Sequence, residues 1–156
     1  MSSTVTIELA DQAATEALAR RLAALAERGE QLALEGDLGV GKTVFARAFI
    51  RALCGDGTEV PSPTFTLVQT YDAADGRALY HFDLYRLRDP EEALELDIDD
   101  AFADGVCLIE WPDRLGYLLP RGVLRVALSY GEEERQRLCL LSGPDGWAER
   151  LRGIAS

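Results

Sequence analysis

The sequence predicts an α/β protein, a three-layer sandwich whose sheet mixes parallel and antiparallel strands. Three observations carry this. In the first third of the chain, short apolar runs alternate with amphipathic stretches of helical period, as in strand–helix units. Further along, two pairs of strand-like runs are joined by short turns containing Gly, as in antiparallel hairpins. The chain has 156 residues, which suits one domain spanning 1–156.

Thr4 to Leu9 alternates and reads as a strand. Asp11 is placed to cap a helix running to about Glu27, with Leu18, Leu22 and Leu25 on one face and Gly29 as its stop. Gln31 to Glu35 is a short apolar strand. A second helix starts near Lys42, carries Val44, Phe45, Ala48, Phe49 and Leu53, and ends near Cys54. Gly55 to Pro63 is a loop. Phe65 to Tyr71 and Ala78 to Leu84 are strands of a hairpin whose turn contains Asp75-Gly76. Pro90 to Leu96 reads as a short helix with Asp89 as cap and Pro90 at its first position. Val106 to Ile109 is a buried strand ending in Glu110. Val123 to Ser129 and Arg135 to Leu141 form a second hairpin around Gly131, and a short helix follows near Trp147.

Composition narrows the function. No apolar run approaches the roughly 20 residues that span a bilayer, and the first residues lack a signal-peptide pattern. Cys54, Cys107 and Cys139 are odd in number, far apart and set among apolar neighbours. They read as buried free thiols in a reducing compartment, so the expected location is cytoplasmic. The net charge of -11 argues against a general nucleic-acid binder. Arg114, Arg121, Arg125, Arg135 and Arg137 read as a solvated face of paired charges, with a local basic patch as the other reading. The acidic run from Glu91 to Asp100 reads as a solvated face, or as a docking surface for a basic partner.

Of 16 basic residues, 15 are arginine, and the single lysine is Lys42. It lies in Gly36-Asp37-Leu38-Gly39-Val40-Gly41-Lys42-Thr43, a full G-x-x-x-x-G-K-[ST] match between an apolar strand and an amphipathic helix. The glycines let successive N–H groups face phosphate oxygens, and the helix N-terminus adds positive potential. Lys42 supplies a compact point charge for the β- and γ-phosphates, a task for which a planar guanidinium is a poor substitute. The Thr43 hydroxyl suits Mg²⁺, which prefers hard oxygen ligands. These features make the expected fold P-loop NTPase-like. The chain contains no Asn and has no second Lys, so it lacks the Asn-Lys-x-Asp segment that reads guanine. ATP is the expected nucleotide.

A metal-side carboxylate is expected at the C-terminal edge of the sheet, and Glu110 ends the strand that fits. Asp83 ends another strand and is a candidate to orient water or bind in the metal's shell. Thr64, in the hydroxyl-rich segment Pro61 to Thr66, is a candidate switch residue that senses the γ-phosphate. Trp111 either covers the nucleotide, meets a partner or packs in the core. His81, the only histidine, reads as a packed or surface strand residue rather than a catalytic base.

Four segments together resemble the TsaE (YjeE) family: the loop Gly36 to Thr43, Ser62-Pro63-Thr64-Phe65-Thr66-Leu67-Val68, His81-Phe82-Asp83-Leu84-Tyr85-Arg86-Leu87, and Glu110-Trp111-Pro112. The resemblance covers about residues 5 to 130 and is weak past Gly131. It implies a bacterial ATPase needed to form threonylcarbamoyladenosine in tRNA. Such a protein binds TsaD and TsaB and uses ATP hydrolysis to reset them between turnovers, meeting tRNA only through that complex. By the same resemblance Lys42 holds phosphates, Thr43 and Glu110 ligate Mg²⁺, Asp83 supports hydrolysis, and Thr15 aligns with a Thr near the nucleotide. Val40 stands where Ala is common in the family.

Two other functions compete. A small-molecule kinase needs an acceptor pocket and a mobile lid, for which Arg86 and Arg88 are the candidates. A nucleotide-gated binding module needs ATP binding without obligatory turnover. Isolated hydrolysis is expected to be slow, with Arg86 the candidate for an arginine supplied in cis.

Overall fold

The computed structural model describes residues 3–155. Seven strands form one sheet in the order β1-β7-β6-β2-β5-β4-β3. They are β1 (Ser3–Leu9), β2 (Gln31–Glu35), β3 (Val68–Asp72), β4 (Ala78–Asp83), β5 (Val106–Glu110), β6 (Leu124–Tyr130) and β7 (Arg137–Gly143). The central strands β6, β2, β5 and β4 are mutually parallel, while β7, β1 and β3 pair antiparallel at the two sides. This is the mixed three-layer α/β arrangement that the sequence predicts.

Strand alternation sorts the side chains into two cores. On one face lie Leu32 and Leu34 of β2, Leu79 of β4, and Val106 and Leu108 of β5. They pack against α1 (Gln12–Leu25), α2 (Lys42–Cys54) and α4 (Ala148–Ala155). On the other face Phe82, Cys107 and Ile109 pack under α3 (Ile98–Asp104) and the 3-10 segments Pro90–Leu96 and Pro112–Leu118. Phe45 and Phe49 are fully buried on α2 with ring centroids 6.3 Å apart. Burying side chains of that size contributes about 1.5–3 kcal/mol each and holds α2 against the sheet.

Local signals set several boundaries. The Asp11 side chain accepts from Ala14 N at 2.9 Å and starts α1, which ends at Leu25, slightly before the predicted limit. Asp89 and Glu92 form a capping box around Pro90, but the segment winds as a 3-10 helix. The first hairpin is shorter than predicted. Residues 64–66 turn, Leu67 N donates to Pro63 O at 2.7 Å, and β3 begins only at Val68. Pro61 and Pro63 withhold two donors and favour this turn over an extended strand. The second hairpin is shifted toward the C-terminus by one or two residues, with Tyr130 opposite Arg137.

Cys107 and Cys139 are buried, and burial pushes both thiols up to about 12, so neither is a thiolate at neutral pH. Cys54 is only half-buried, because it ends α2 beside the loop. Among the described residues no helix is long and apolar enough to cross a membrane.

Candidate active site

The loop from Gly36 to Thr43 joins β2 to α2 in the middle of the sheet. Gly36, Gly39 and Gly41 all have positive φ, at 142°, 83° and 122°. Gly36 is the most constrained of them. A Cβ there would lie 2.5 Å from the Leu128 carbonyl oxygen, so no other residue fits without moving β6. Gly41 caps α2 without a side chain, which leaves the first N–H groups of α2 directed at the loop.

Three neighbouring parallel strands bring the acidic residues to this loop. Asp83 and Glu110 end β4 and β5 and stand opposite each other in register. The period of two puts both on the α2 face, with Leu79, His81 and Asp83 alternating against Tyr80 and Phe82. Thr43, in the first turn of α2, donates from Oγ1 to Glu110 Oε1 at 3.4 Å. Lys42 Nζ donates to Gly36 O at 2.6 Å and sits 3.3 Å above the Trp111 ring centroid. Burial pushes the Lys42 ammonium below its ordinary range, opposed by the charges of Glu110 and Asp83.

Asp83 is held from two sides. Its Oδ2 accepts from Thr64 Oγ1 at 3.1 Å, and its Oδ1 accepts from Tyr85 N at 3.1 Å. Ser62 Oγ lies 2.7 Å from the same Thr64 hydroxyl. Thr64 therefore ties the Pro-rich loop to an acid of the site. Leu67, just beyond that turn, has φ 69°, and Trp111, directly after Glu110, has φ 59°. Left-handed conformations at bulky residues are uncommon and concentrate at functional sites.

Lys42, Thr43, Asp83, Glu110 and Trp111 thus meet in one place, with Thr64 at its edge. Thr15 does not join them. It is buried on α1 and lines a cavity of about 590 Å³ on the other side of the loop, with Gly39, Val40, Val44, Arg135 and Arg137. Asp37 and Leu38 lie at the outer bend of the loop, and Leu38 is exposed.

Three residues at the site escape sequence reasoning. His81 is fully buried, and its Nε2 lies 2.6 Å from Glu110 Oε2. Its burial matches the packed-residue reading, but its partner is unforeseen. The available signal is its position two before Asp83 on one strand. Tyr130 Oη donates to Leu38 O at 3.2 Å, and Arg137 Nε donates to Val40 O at 2.9 Å. The second hairpin is therefore fastened to the loop from Gly36 to Thr43. Of the arginines read as a paired face, Arg125 does pair with Glu35, whereas Arg137 turns to the loop and Arg114 stands over Tyr85.

Mg²⁺ fits the donors present. Thr43 and Glu110 offer hard oxygens side by side, and Mg²⁺ needs only one or two protein ligands when phosphates and water complete its shell. Among the described residues no group of three or more His, Cys, Asp or Glu is arranged to hold a metal by itself, so the nucleotide would have to complete the site.

Known proteins resemble this chain throughout the region just described. Residues 9–138 match the family model "Threonylcarbamoyl adenosine biosynthesis protein TsaE". A tRNA threonylcarbamoyladenosine biosynthesis protein TsaE from Rickettsia bellii is 42% identical over 125 residues, covering 80% of this chain and 85% of its own. The protein of the same name from Bacillus subtilis is 42% identical over 125 residues, covering 78% and 76%. Among solved structures, the crystal structure of Bacillus subtilis YdiB superposes with a TM-score of 0.79 at 30% identity, covering 99% of this chain and 95% of that one. On the matched length and identity together, this chain belongs to the TsaE family of threonylcarbamoyl adenosine biosynthesis proteins.

Proposed function

We propose that this chain is a Mg²⁺-dependent ATPase that supports TsaD–TsaB in forming threonylcarbamoyladenosine on tRNA. One observation carries the proposal. Lys42, Thr43, Asp83 and Glu110 converge at the C-terminal ends of three adjacent parallel strands around a phosphate loop. That edge is where nucleotides bind in open α/β sheets.

In this reading the loop N–H groups and the start of α2 take the β- and γ-phosphates. Lys42 exchanges the Trp111 ring and the Gly36 carbonyl for phosphate oxygens. Thr43 and Glu110 would hold Mg²⁺, which would supply neutralisation of the phosphate charge. Asp83, steadied by Thr64 and Tyr85 N, orients the water that attacks the γ-phosphorus as the bond to ADP breaks. The cavity between Thr15 and Arg137 accommodates the nucleoside end. Among the described residues no hydrogen bond or ion pair joins an arginine to Asp83 or Glu110, and Arg86 is turned over Phe65 at 4.4 Å. An arginine supplied by a partner would add charge stabilisation at the γ-phosphate, the basis on which activation by TsaD–TsaB is proposed. With a net charge of -11 the chain meets tRNA through the complex rather than directly, in the cytoplasm.

The test is a reconstituted reaction of TsaD, TsaB, threonylcarbamoyl-adenylate and excess tRNA. Repeated turnover is expected to require both this chain and hydrolysable ATP. Undiminished turnover without the chain would refute the proposal.

A further inference from the structure

We infer that His81 is a positioning residue that holds Glu110 for the metal, an inference that rests on Glu110 being a Mg²⁺ ligand. Glu110 divides its two oxygens. Oε1 faces the Thr43 hydroxyl at 3.4 Å, and Oε2 is bound by His81 Nε2 at 2.6 Å. A glutamate has three rotatable bonds, and fixing one oxygen aims the other. The fixing contact is well protected, because His81 is 0% and Glu110 3% exposed.

The topology explains why His81 can do this. In the parallel pair β4–β5, Asp83 is opposite Glu110 and His81 is opposite Leu108. His81 therefore lies diagonally behind the carboxylate, on the same face and away from the mouth of the site. It reaches the oxygen turned from Thr43 without occupying the metal's place. A metal-ligating carboxylate accepts, so Nε2–H donates. Nδ1 has no partner among the described residues, so this ring is committed to one bond. Partners of metal-ligating side chains typically govern metal affinity by about 10–100-fold.

His81→Gln and His81→Asn separate positioning from packing. The Gln amide reaches where Nε2 stands, whereas the Asn amide stops near Nδ1. Binding of a non-hydrolysable ATP analogue is followed by tryptophan fluorescence while Mg²⁺ is titrated, with Glu110→Gln alongside. His81→Asn is expected to raise the half-saturating Mg²⁺ concentration about tenfold or more, and His81→Gln to stay within about threefold of the parent. Binding measured without Mg²⁺ is expected to change little in either variant. A purely structural role would lower the melting temperature of both and leave the Mg²⁺ dependence alone.

A folded His81→Asn protein with parental Mg²⁺ dependence would overturn the inference while Glu110→Gln still upholds the metal site. Parental Mg²⁺ dependence in Glu110→Gln would overturn the metal site itself, and the inference with it. If His81→Asn does not fold, the ring nitrogens of the ¹⁵N-labelled parent decide, because the chain has a single histidine. A proton on Nε2 supports the inference, and a proton only on Nδ1 overturns it.

Discussion

Replacing Lys42 with Ala is expected to lower kcat/KM for ATP by about 10²–10³-fold, the loss typical when one preorganised charge-stabilising donor is removed. Nothing nearby substitutes for it. Lys42 is the only lysine in the chain, Arg86 and Arg114 face Phe65 and Tyr85, and Arg137 is bonded to the Val40 carbonyl. Lys42→Arg is expected to recover little. The ammonium fits between the Gly36 carbonyl and the Trp111 ring, and a planar fork has neither the shape nor the point charge for that position. Folding should survive the change to Ala. Burial disfavours the charged ammonium, and that cost disappears with the side chain, so the melting temperature without nucleotide is expected to hold. Hydrolysis by folded Lys42→Ala within a few-fold of the parent would remove Lys42 from the phosphate-binding role.

The second large effect is expected from Glu110→Gln, which keeps the shape and removes the charge. The Gln carbonyl can still accept from His81, so the local packing is retained. Hydrolysis is expected to fall about 10²-fold or more, because a charged metal-side ligand is lost. Nucleotide binding without Mg²⁺ should stay within a few-fold of the parent, since the loop and Lys42 are untouched. The modification assay with TsaD–TsaB then discriminates two functions. If Glu110→Gln binds ATP but no longer sustains turnover, hydrolysis is required. If it sustains full turnover, the chain is a nucleotide-gated binding module. The two variants thus separate phosphate capture from the chemical step.

How far the sequence discloses this site depends on the range over which each feature is encoded. The loop from Gly36 to Thr43 is local. Eight consecutive residues, the apolar β2 before them and the amphipathic α2 behind them announce it. The ends of β4 and β5 are also legible, because each closes an apolar run with an acid. The contact between His81 and Glu110 is not, since it depends on β4 lying beside β5 in one register, and 29 residues separate the pair. The ties from Tyr130 and Arg137 to the loop span 92 and 97 residues, so no local pattern announces them.

The elements over the second sheet face are hidden for another reason. Helix α3 has seven residues, three of them Asp, and buries only Ile98 and Ala101. Its apolar signal is too short to stand out from an acidic run. The segment Pro112–Leu118 winds as 3-10 and breaks at Gly116, so it carries no helical period. The turn at 64–66 reads as strand in sequence because Phe65, Leu67 and Val68 are apolar, yet Phe65 is 80% exposed. There, the pull of Asp83 on Thr64 and the two prolines outweigh strand propensity.

The most direct measurement of the central claim is steady-state ATP hydrolysis by the purified chain, alone and with TsaD–TsaB, with Lys42→Ala as the blank. The site described here predicts a slow rate alone, a rise of about tenfold or more with the partners, and no rate above background in the blank. A rate unchanged by TsaD–TsaB, or one that persists in Lys42→Ala, would contradict it.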